Sequence, residues 1–140
     1  MEYPDGFDKT KLRNKPICGI LAVAIAAGVS YPVAYQTLRT VFHEKKLGSR
    51  FRGTTWQGQQ LAALDRLAVK YRVFQFDKSV MKFCELHQDD GFIYLISIKG
   101  HIMTFKNGFI IDQHFCAPWQ EYAHPRMKIK RVVKIVGKGW

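Results

Sequence analysis

The chain has 140 residues, 47% of them hydrophobic, and it carries 22 Lys and Arg against 11 Asp and Glu, a net charge of +11. This length and apolar content suit one domain with its own core, and the absence of repeats and low-complexity tracts argues against disorder. The positive charge favours anionic partners such as nucleic acid, an anionic surface or an anionic host protein. No apolar run reaches the roughly 18–20 residues that span a membrane, so no membrane partner is expected.

Residues 1–16 are polar and include Pro4 and Pro16, which predicts an extended lead-in to a single domain over 1–140. The basic stretch and apolar run that follow imitate a signal peptide, with a cleavage-like site at residues 24–28. Three acidic residues in the leader (Glu2, Asp5 and Asp8) argue against that interpretation. Three cysteines without framework spacing indicate free thiols in a reducing compartment, so the expected location is cytoplasmic.

The first helix is expected from about Cys18 to Ala27, with Gly28 as its stop. It is nearly all apolar, which predicts a buried, central helix. Cys18 stands at its start, where free backbone N–H groups and the helix dipole favour the thiolate, the nucleophilic form. The alternative is a small core residue, since free cysteine is commonly buried.

Two more helices are expected before residue 70. Ser30 is a candidate N-cap for the second, which runs to about Lys46. A basic loop over 49–53 leads to Thr54 or Thr55, which caps the third helix. The second helix has an expected apolar stripe of Val33, Leu38, Val41 and Phe42. The third has one of Leu61, Leu64, Leu67 and Ala68 and ends near Lys70.

From residue 71 the apolar period changes to two, which indicates strands. Asn107-Gly108 is a strong hairpin signal between two of them. Helices followed by an antiparallel sheet make an α+β layout. The expected elements are strands over 71–76, 92–98, 101–106, 109–114 and 128–136, a short helix over 78–87 and a loop over 115–126.

A two-residue loop at Asn107-Gly108 makes the numbers of facing residues sum to 215. His101 then lies opposite His114 and diagonally beside Asp112 on one sheet face. A carboxylate there can accept an imidazole N–H and stabilise the imidazolium. Cys18, His101 and Asp112 are therefore the candidate nucleophile, base and orienting group. A bulge would instead put His114 or Gln113 in the third place.

A cysteine that opens an apolar helix, followed by Gly100-His101, Gly108 and Asp112 on a hairpin, resembles the papain-like cysteine peptidase superfamily. The similarity is greatest to its small bacterial and phage members, the C39-like and NlpC/P60-like minimal domains. It covers roughly residues 14–115. It includes a phage-type pattern, a basic loop that ends in Gly53-Thr54 and a helix that bears Ala-Leu-x-x-Leu over 63–67. The resemblance implies a papain-like α+β fold in which helices pack on a C-terminal sheet.

The resemblance further implies acyl transfer through a thioester, without a cofactor or a metal, on a peptide or protein substrate. Cys18 attacks an amide carbon after His101 takes its proton, and the backbone N–H of Cys18 stabilises the oxyanion. Asn14 and Gln57 are candidates for a second oxyanion donor. The same triad can run deamidation or transglutamination of a glutamine. A phage origin implies location in the host cell or the virion, and a host protein as a further candidate target.

Two other interpretations compete. Cys84, His87, His114, Cys116 and His124 include enough ligand types for a zinc site, although their spacing matches no common finger or ribbon. The chain could also be a non-catalytic basic module that binds nucleic acid or a host protein. The residues expected to contact an anionic partner are Arg50, Arg52, Lys128, Lys130, Arg131 and Lys134.

Overall fold

The computed structural model describes residues 3–8, 17–46, 48, 51 and 57–138. Within these residues the chain forms four α-helices and one antiparallel sheet of six strands. The expected α+β class is confirmed. The expected caps of the third helix, Thr54 and Thr55, lie outside the described residues.

Helix α1 (Cys18–Ala27) has the bounds expected from the sequence, and every one of its residues is buried. It ends because Gly28 adopts a left-handed conformation with φ 67° and returns its N–H to the carbonyls of Ala24 and Ile25. A helix apolar on all sides can be stable only if it is surrounded by other elements. Helix α1 is accordingly the centre of the helical layer.

Helix α2 (Tyr31–Glu44) begins at the expected N-cap, since the Ser30 side chain accepts a hydrogen bond from the N–H of Val33 at 3.4 Å. The expected apolar stripe is wrong at Val33, which is 46% exposed. The buried positions recur at spacings of three and four residues, and Val33 falls between them on the opposite side. The buried residues of α2 are Tyr31, Ala34, Leu38 and Val41.

Helix α3 (Gln57–Arg66) stops before Lys70, and Ala68 is exposed with φ 59°. The left-handed residue turns the chain directly into the first strand, which therefore begins two residues earlier than expected. The remaining elements are β1 (Val69–Phe74), α4 (Val80–His87), β2 (Ile93–Ile98), β3 (His101–Lys106), β4 (Phe109–Ile111), β5 (Cys116–Pro118), a 3₁₀ helix (Trp119–Glu121) and β6 (Arg131–Lys138).

The sheet order is β1-β6-β2-β3-β4-β5. The last strand is inserted between β1 and β2, and β2 lies in the interior of the sheet. Leu95 and Val133 pack on one face of the sheet with helices α1–α3. Phe83 and Cys84 of α4 pack on the other face against Tyr94 and Phe105.

The hairpin has the expected register: Lys106 pairs with Phe109, and Thr104 with Ile111. Strand β4 ends at Ile111, however, and not at His114. The N–H of Asp112 donates to the carbonyl of Phe115 at 2.7 Å, and this bond reverses the chain into β5, which pairs with β4. The expected pairing of His101 with His114 is therefore wrong, because the chain has already turned. The expected loop over 115–126 contains β5 and the 3₁₀ helix.

No single helix in the described ranges is both long and apolar enough to cross a membrane. Helices α1 and α2 together pass that test of length and composition, but they bend by 113° at the break between them.

Candidate functional site

His101 and Asp112 form the centre of the candidate site. His101 is the first residue of β3, and Asp112 directly follows β4. The Nε2 atom of His101 lies 2.9 Å from Oδ2 of Asp112, within hydrogen-bond and ion-pair distance. Asp112 is only 7% exposed, whereas His101 is half-buried. The diagonal contact expected from the hairpin register is therefore present.

Three further bonds hold Asp112 in place. Its Oδ1 accepts the backbone N–H of His114 at 2.8 Å, its N–H donates to Phe115, and its carbonyl accepts the hydroxyl of Tyr3 at 2.9 Å. Burial by itself would raise the pKa of Asp112. The bonds from His101 and from the backbone N–H of His114 outweigh burial, so the pKa falls below its ordinary value of 3.8. Asp112 is thus a fixed, ionised acceptor.

Cys18 supplies the second partner of His101. It is 6% exposed at the first position of α1, and its thiol is close enough to the His101 ring to raise the pKa of that ring. The bond with Asp112 and then the interaction with Cys18 raise the pKa of His101 to about 9, although burial opposes the shift. The ring is therefore an imidazolium at neutral pH. Because Nε2 faces Asp112, Nδ1 is left for the sulfur.

The N-terminus of α1 places free backbone N–H donors around Cys18. The first helical bond runs from the N–H of Leu21 to the carbonyl of Ile17. Helix geometry therefore leaves the N–H groups of Cys18, Gly19 and Ile20 without an acceptor inside α1. Such free donors at the positive end of a helix stabilise negative charge that develops next to them.

Gln113 and His114, the expected substitutes for Asp112, do not take its place. His114 is exposed, and its ring nitrogen Nε2 lies 3.2 Å from Nε2 of Gln113. Gln113 is 8% exposed, and its Oε1 accepts the N–H of Ile17 at 3.4 Å. Sequence reasoning missed this contact with the residue before Cys18, because the two residues are far apart in the chain.

The expected oxyanion donors stay predictions. Asn14 lies outside the described residues, as does the side chain of Gln57. Helix α3 does carry two buried amides, Gln59 and Gln60. The Nε2 atom of Gln59 has no hydrogen-bond partner in the described part of the chain. A buried amide of this kind is an available donor.

No protein-family model, curated protein or solved structure matches this chain. Its function is therefore inferred from the chemistry of Cys18, His101 and Asp112.

The alternative zinc ligands are not brought together. Within ranges 3–8, 17–46 and 57–138, no three His, Cys, Asp or Glu side chains are placed to hold a metal ion. Cys84 is fully buried in the α4 layer, and burial raises the pKa of its thiol to about 12. His87 instead bonds Asp90 at 2.8 Å, and Tyr94 donates to the same carboxylate. This cluster joins the end of α4 to β2.

The basic residues of β6 that are expected to contact an anionic partner are divided between two faces of the sheet. Arg131 and Lys134 are three residues apart on β6, so their side chains point to opposite faces. Lys128 and Lys130 are exposed before the strand, and Arg50 and Arg52 lie outside the described residues.

Another basic residue, Arg72 of β1, pairs directly with Lys134. Lys70 pairs with Gly137 of β6, on the other side of an irregularity in the register between Lys70 and Tyr71. The alternation of apolar and basic residues over 69–72 indicates an exposed basic side of this strand. Only the pairing of β1 with β6 places Arg72 opposite Lys134.

Proposed function

We propose that the chain is a thiol hydrolase of the papain-like type, which cleaves an amide or peptide bond through Cys18, His101 and Asp112. One observation carries the proposal: the Nε2 atom of His101 lies 2.9 Å from Oδ2 of the buried Asp112, and Cys18 is close enough to raise the pKa of the same ring. A nucleophile, a base and an orienting group in hydrogen-bond contact are the requirements for covalent acyl transfer.

The first half-reaction forms a thioester. The Cys18 sulfur, which has passed its proton to His101, attacks the carbonyl carbon of the substrate, and the carbonyl electrons move to oxygen. His101 then donates its proton to the leaving amine as the tetrahedral intermediate collapses. Asp112 stays ionised throughout and holds the imidazolium in orientation.

The second half-reaction hydrolyses the thioester. Water attacks the acyl carbon while His101 accepts one of its protons, and that proton returns to the Cys18 sulfur as it leaves. The backbone N–H of Cys18 is free of the α1 ladder and is the oxyanion donor that this geometry favours. Deamidation and transglutamination use the same thioester and differ only in the amine that leaves or enters.

Selective alkylation tests the proposal. Iodoacetamide near pH 7 should modify Cys18 faster than Cys116 or Cys84, with the sites and rates read by peptide mass spectrometry. His101→Ala should lower the Cys18 rate by about tenfold or more, because the imidazolium no longer stabilises the thiolate. Cys84 serves as the internal control for folding, since it reacts only when the α4 layer opens. Equal rates at Cys18 and Cys116, or no effect of His101→Ala, would contradict the proposal.

A second candidate function is nucleic-acid binding on the face that carries Arg72 and Lys134. Two like charges that are directly opposed across strands are unfavourable unless an anion lies between or above them. The Lys134 ammonium also lies 3.8 Å from the centre of the Phe92 ring, which places an aromatic surface beside the charges. None of the carboxylates in the described ranges forms an ion pair with Arg72 or Lys134.

Salt dependence tests this second candidate. Binding of fluorescent single-stranded DNA should weaken as salt rises, with a linear slope of log K against log salt. Arg72→Gln combined with Lys134→Gln should reduce the slope by about 1–2. Lys45→Gln combined with Lys46→Gln removes the same charge from the exposed end of α2 and serves as the control. An equal loss in both double variants would assign the binding to net charge alone.

A further inference from the structure

Gln113 joins the two segments that carry the candidate site. It follows Asp112 in the turn after β4, and its Oε1 accepts the N–H of Ile17, the residue before Cys18, at 3.4 Å. Its Nε2 lies 3.2 Å from the ring nitrogen of His114. The side chain is 8% exposed, and a buried amide must have partners to be stable. The Gln113 amide therefore bridges the start of α1 and the turn after Asp112.

We propose that Gln113 is a positioning residue for Cys18, a role that rests on the proposed thiol chemistry. Ile17 is the N-cap of α1, and its own apolar side chain makes no capping hydrogen bond. The bond from Ile17 to Gln113 is thus a direct polar tie on the residue that precedes the nucleophile. An error of about 1 Å in the position of a reacting group can cost about a hundredfold in rate.

The turn over 112–115 then sets both halves of the site. The Asp112 side chain orients His101, and the Gln113 side chain holds the end of α1 that carries Cys18. The turn is itself fixed by the bonds of Asp112 to Phe115 and of Tyr3 to the Asp112 carbonyl. An apolar side chain at position 113 would fill the same space but would leave the Ile17 N–H without this acceptor.

Two near-isosteric variants separate positioning from packing. Gln113→Met keeps the volume and loses the acceptor, whereas Gln113→Glu keeps the acceptor and adds a charge. The first readout is the Ile17 amide resonance in ¹⁵N-labelled protein. It should move in the Met variant and stay close to its original position in the Glu variant. Gln75→Met, the same change at an exposed glutamine, is the control.

The second readout is the rate of Cys18 alkylation by iodoacetamide across pH. Gln113→Met should lower the rate about fivefold, the scale of one hydrogen bond. Gln113→Glu should recover most of that rate at high pH but move the rise of the profile to higher pH, because a new carboxylate disfavours a neighbouring thiolate. Among the described residues, the titratable groups bonded to this turn or to Asp112 are His101, His114 and Tyr3, and all of them, like Asp112 itself, are present in every variant.

An unchanged Ile17 resonance in the Met variant would overturn the proposal, whatever the reactivity. A moved resonance with unchanged alkylation would also overturn it, while the thiol-hydrolase function would stand. If Cys18 of the unmodified protein reacts no faster than Cys116, the proposed function fails, and the bond to Ile17 is then only structural.

Discussion

The imidazole of His101 interacts with the carboxylate of Asp112 and with Cys18, and both interactions favour the protonated imidazolium. The bond with Asp112 is the larger cause of the raised pKa of about 9, and the interaction with Cys18 is the next. A group whose pKa is higher in the folded than in the unfolded protein stabilises the fold fully below its unfolded value. That stability is lost as pH rises through the folded value.

The free energy of unfolding should therefore fall between about pH 6.5 and pH 9, because over that range His101 keeps its proton in the folded protein but loses it in the unfolded chain. Asp112→Asn should flatten this fall, since it removes the larger cause of the shift. Urea unfolding at a series of pH values measures the effect, and NMR titration of His101 should give a midpoint near 9. His124→Gln, at an exposed site, is the control. A His101 midpoint near 6.5 would contradict the ion pair.

The sequence was sufficient to predict the contact between His101 and Asp112, because a two-residue turn determines which residues of a hairpin are neighbours. Their contact is local. Gln113 was considered only as a substitute for Asp112, and its bond to Ile17 could not be predicted. The packing of α1 against the sheet brings those two residues together, and no short-range pattern encodes that packing.

Among the helices and strands, the Asn107-Gly108 turn was predictable from the sequence, whereas strand β5 was not. Asn107 and Gly108 both have positive φ, at 52° and 78°, as a tight hairpin turn requires. Strand β5 was missed because it has only three residues and ends in Pro118, a residue that is unfavourable in a strand interior. It forms only because the turn at Asp112 delivers the chain to the edge of β4.

Gly108→Ala should destabilise the protein by about 1–2 kcal/mol, because a side chain is strained at this left-handed conformation. Apart from its two chain neighbours, no described residue has an atom within 4 Å of the added methyl group, so the cost is conformational. Gly58→Ala makes the same change inside α3, also into open space, and should stabilise by about 0.5–1 kcal/mol. Chemical denaturation measures both. Equal effects of the two variants would contradict the assignment of strain to the turn.

Leu38 and Val33 lie on the same helix but in opposite environments. Leu38→Ala should cost about 2–5 kcal/mol, because Leu38 is fully buried among α1–α3. Val33→Ala should change stability by no more than about 0.5 kcal/mol. Denaturant midpoints of the two variants make the comparison. A large loss for Val33→Ala would restore the apolar stripe that was expected from the sequence.

For the molecule as a whole, charge is the dominant surface property. A net charge of +11 on 140 residues implies repulsion within the compact state. The melting temperature should rise when sodium chloride is raised from about 10 to 150 mM, which shortens the screening length from about 30 to 8 Å. A gain of about 1 kcal/mol would correspond to about 4 °C. A melting temperature that falls with salt would mean that attractive ion pairs outweigh the repulsion.

The sequence could predict the amount of this charge but not its distribution. Arg131 and Lys134 seemed to belong to one basic segment, yet strand alternation sends them to opposite faces. Arg72 joins Lys134 only through the register of β1 with β6. The pairing of distant strands decides which basic side chains share a surface, and the local sequence pattern does not predict that pairing.

The position of β6 in the sheet affects how the protein is made. Strand β1 pairs only with β6 in the described sheet, and β6 also covers one side of the central strand β2. During synthesis, Cys18, His101 and Asp112 all leave the ribosome before residues 131–138 do. Until those residues emerge, Val69–Phe74 has no neighbour, and β2 presents a bare edge to any other nascent strand. Cys18 is thus made early but gains a complete supporting sheet only after residues 131–138 have emerged.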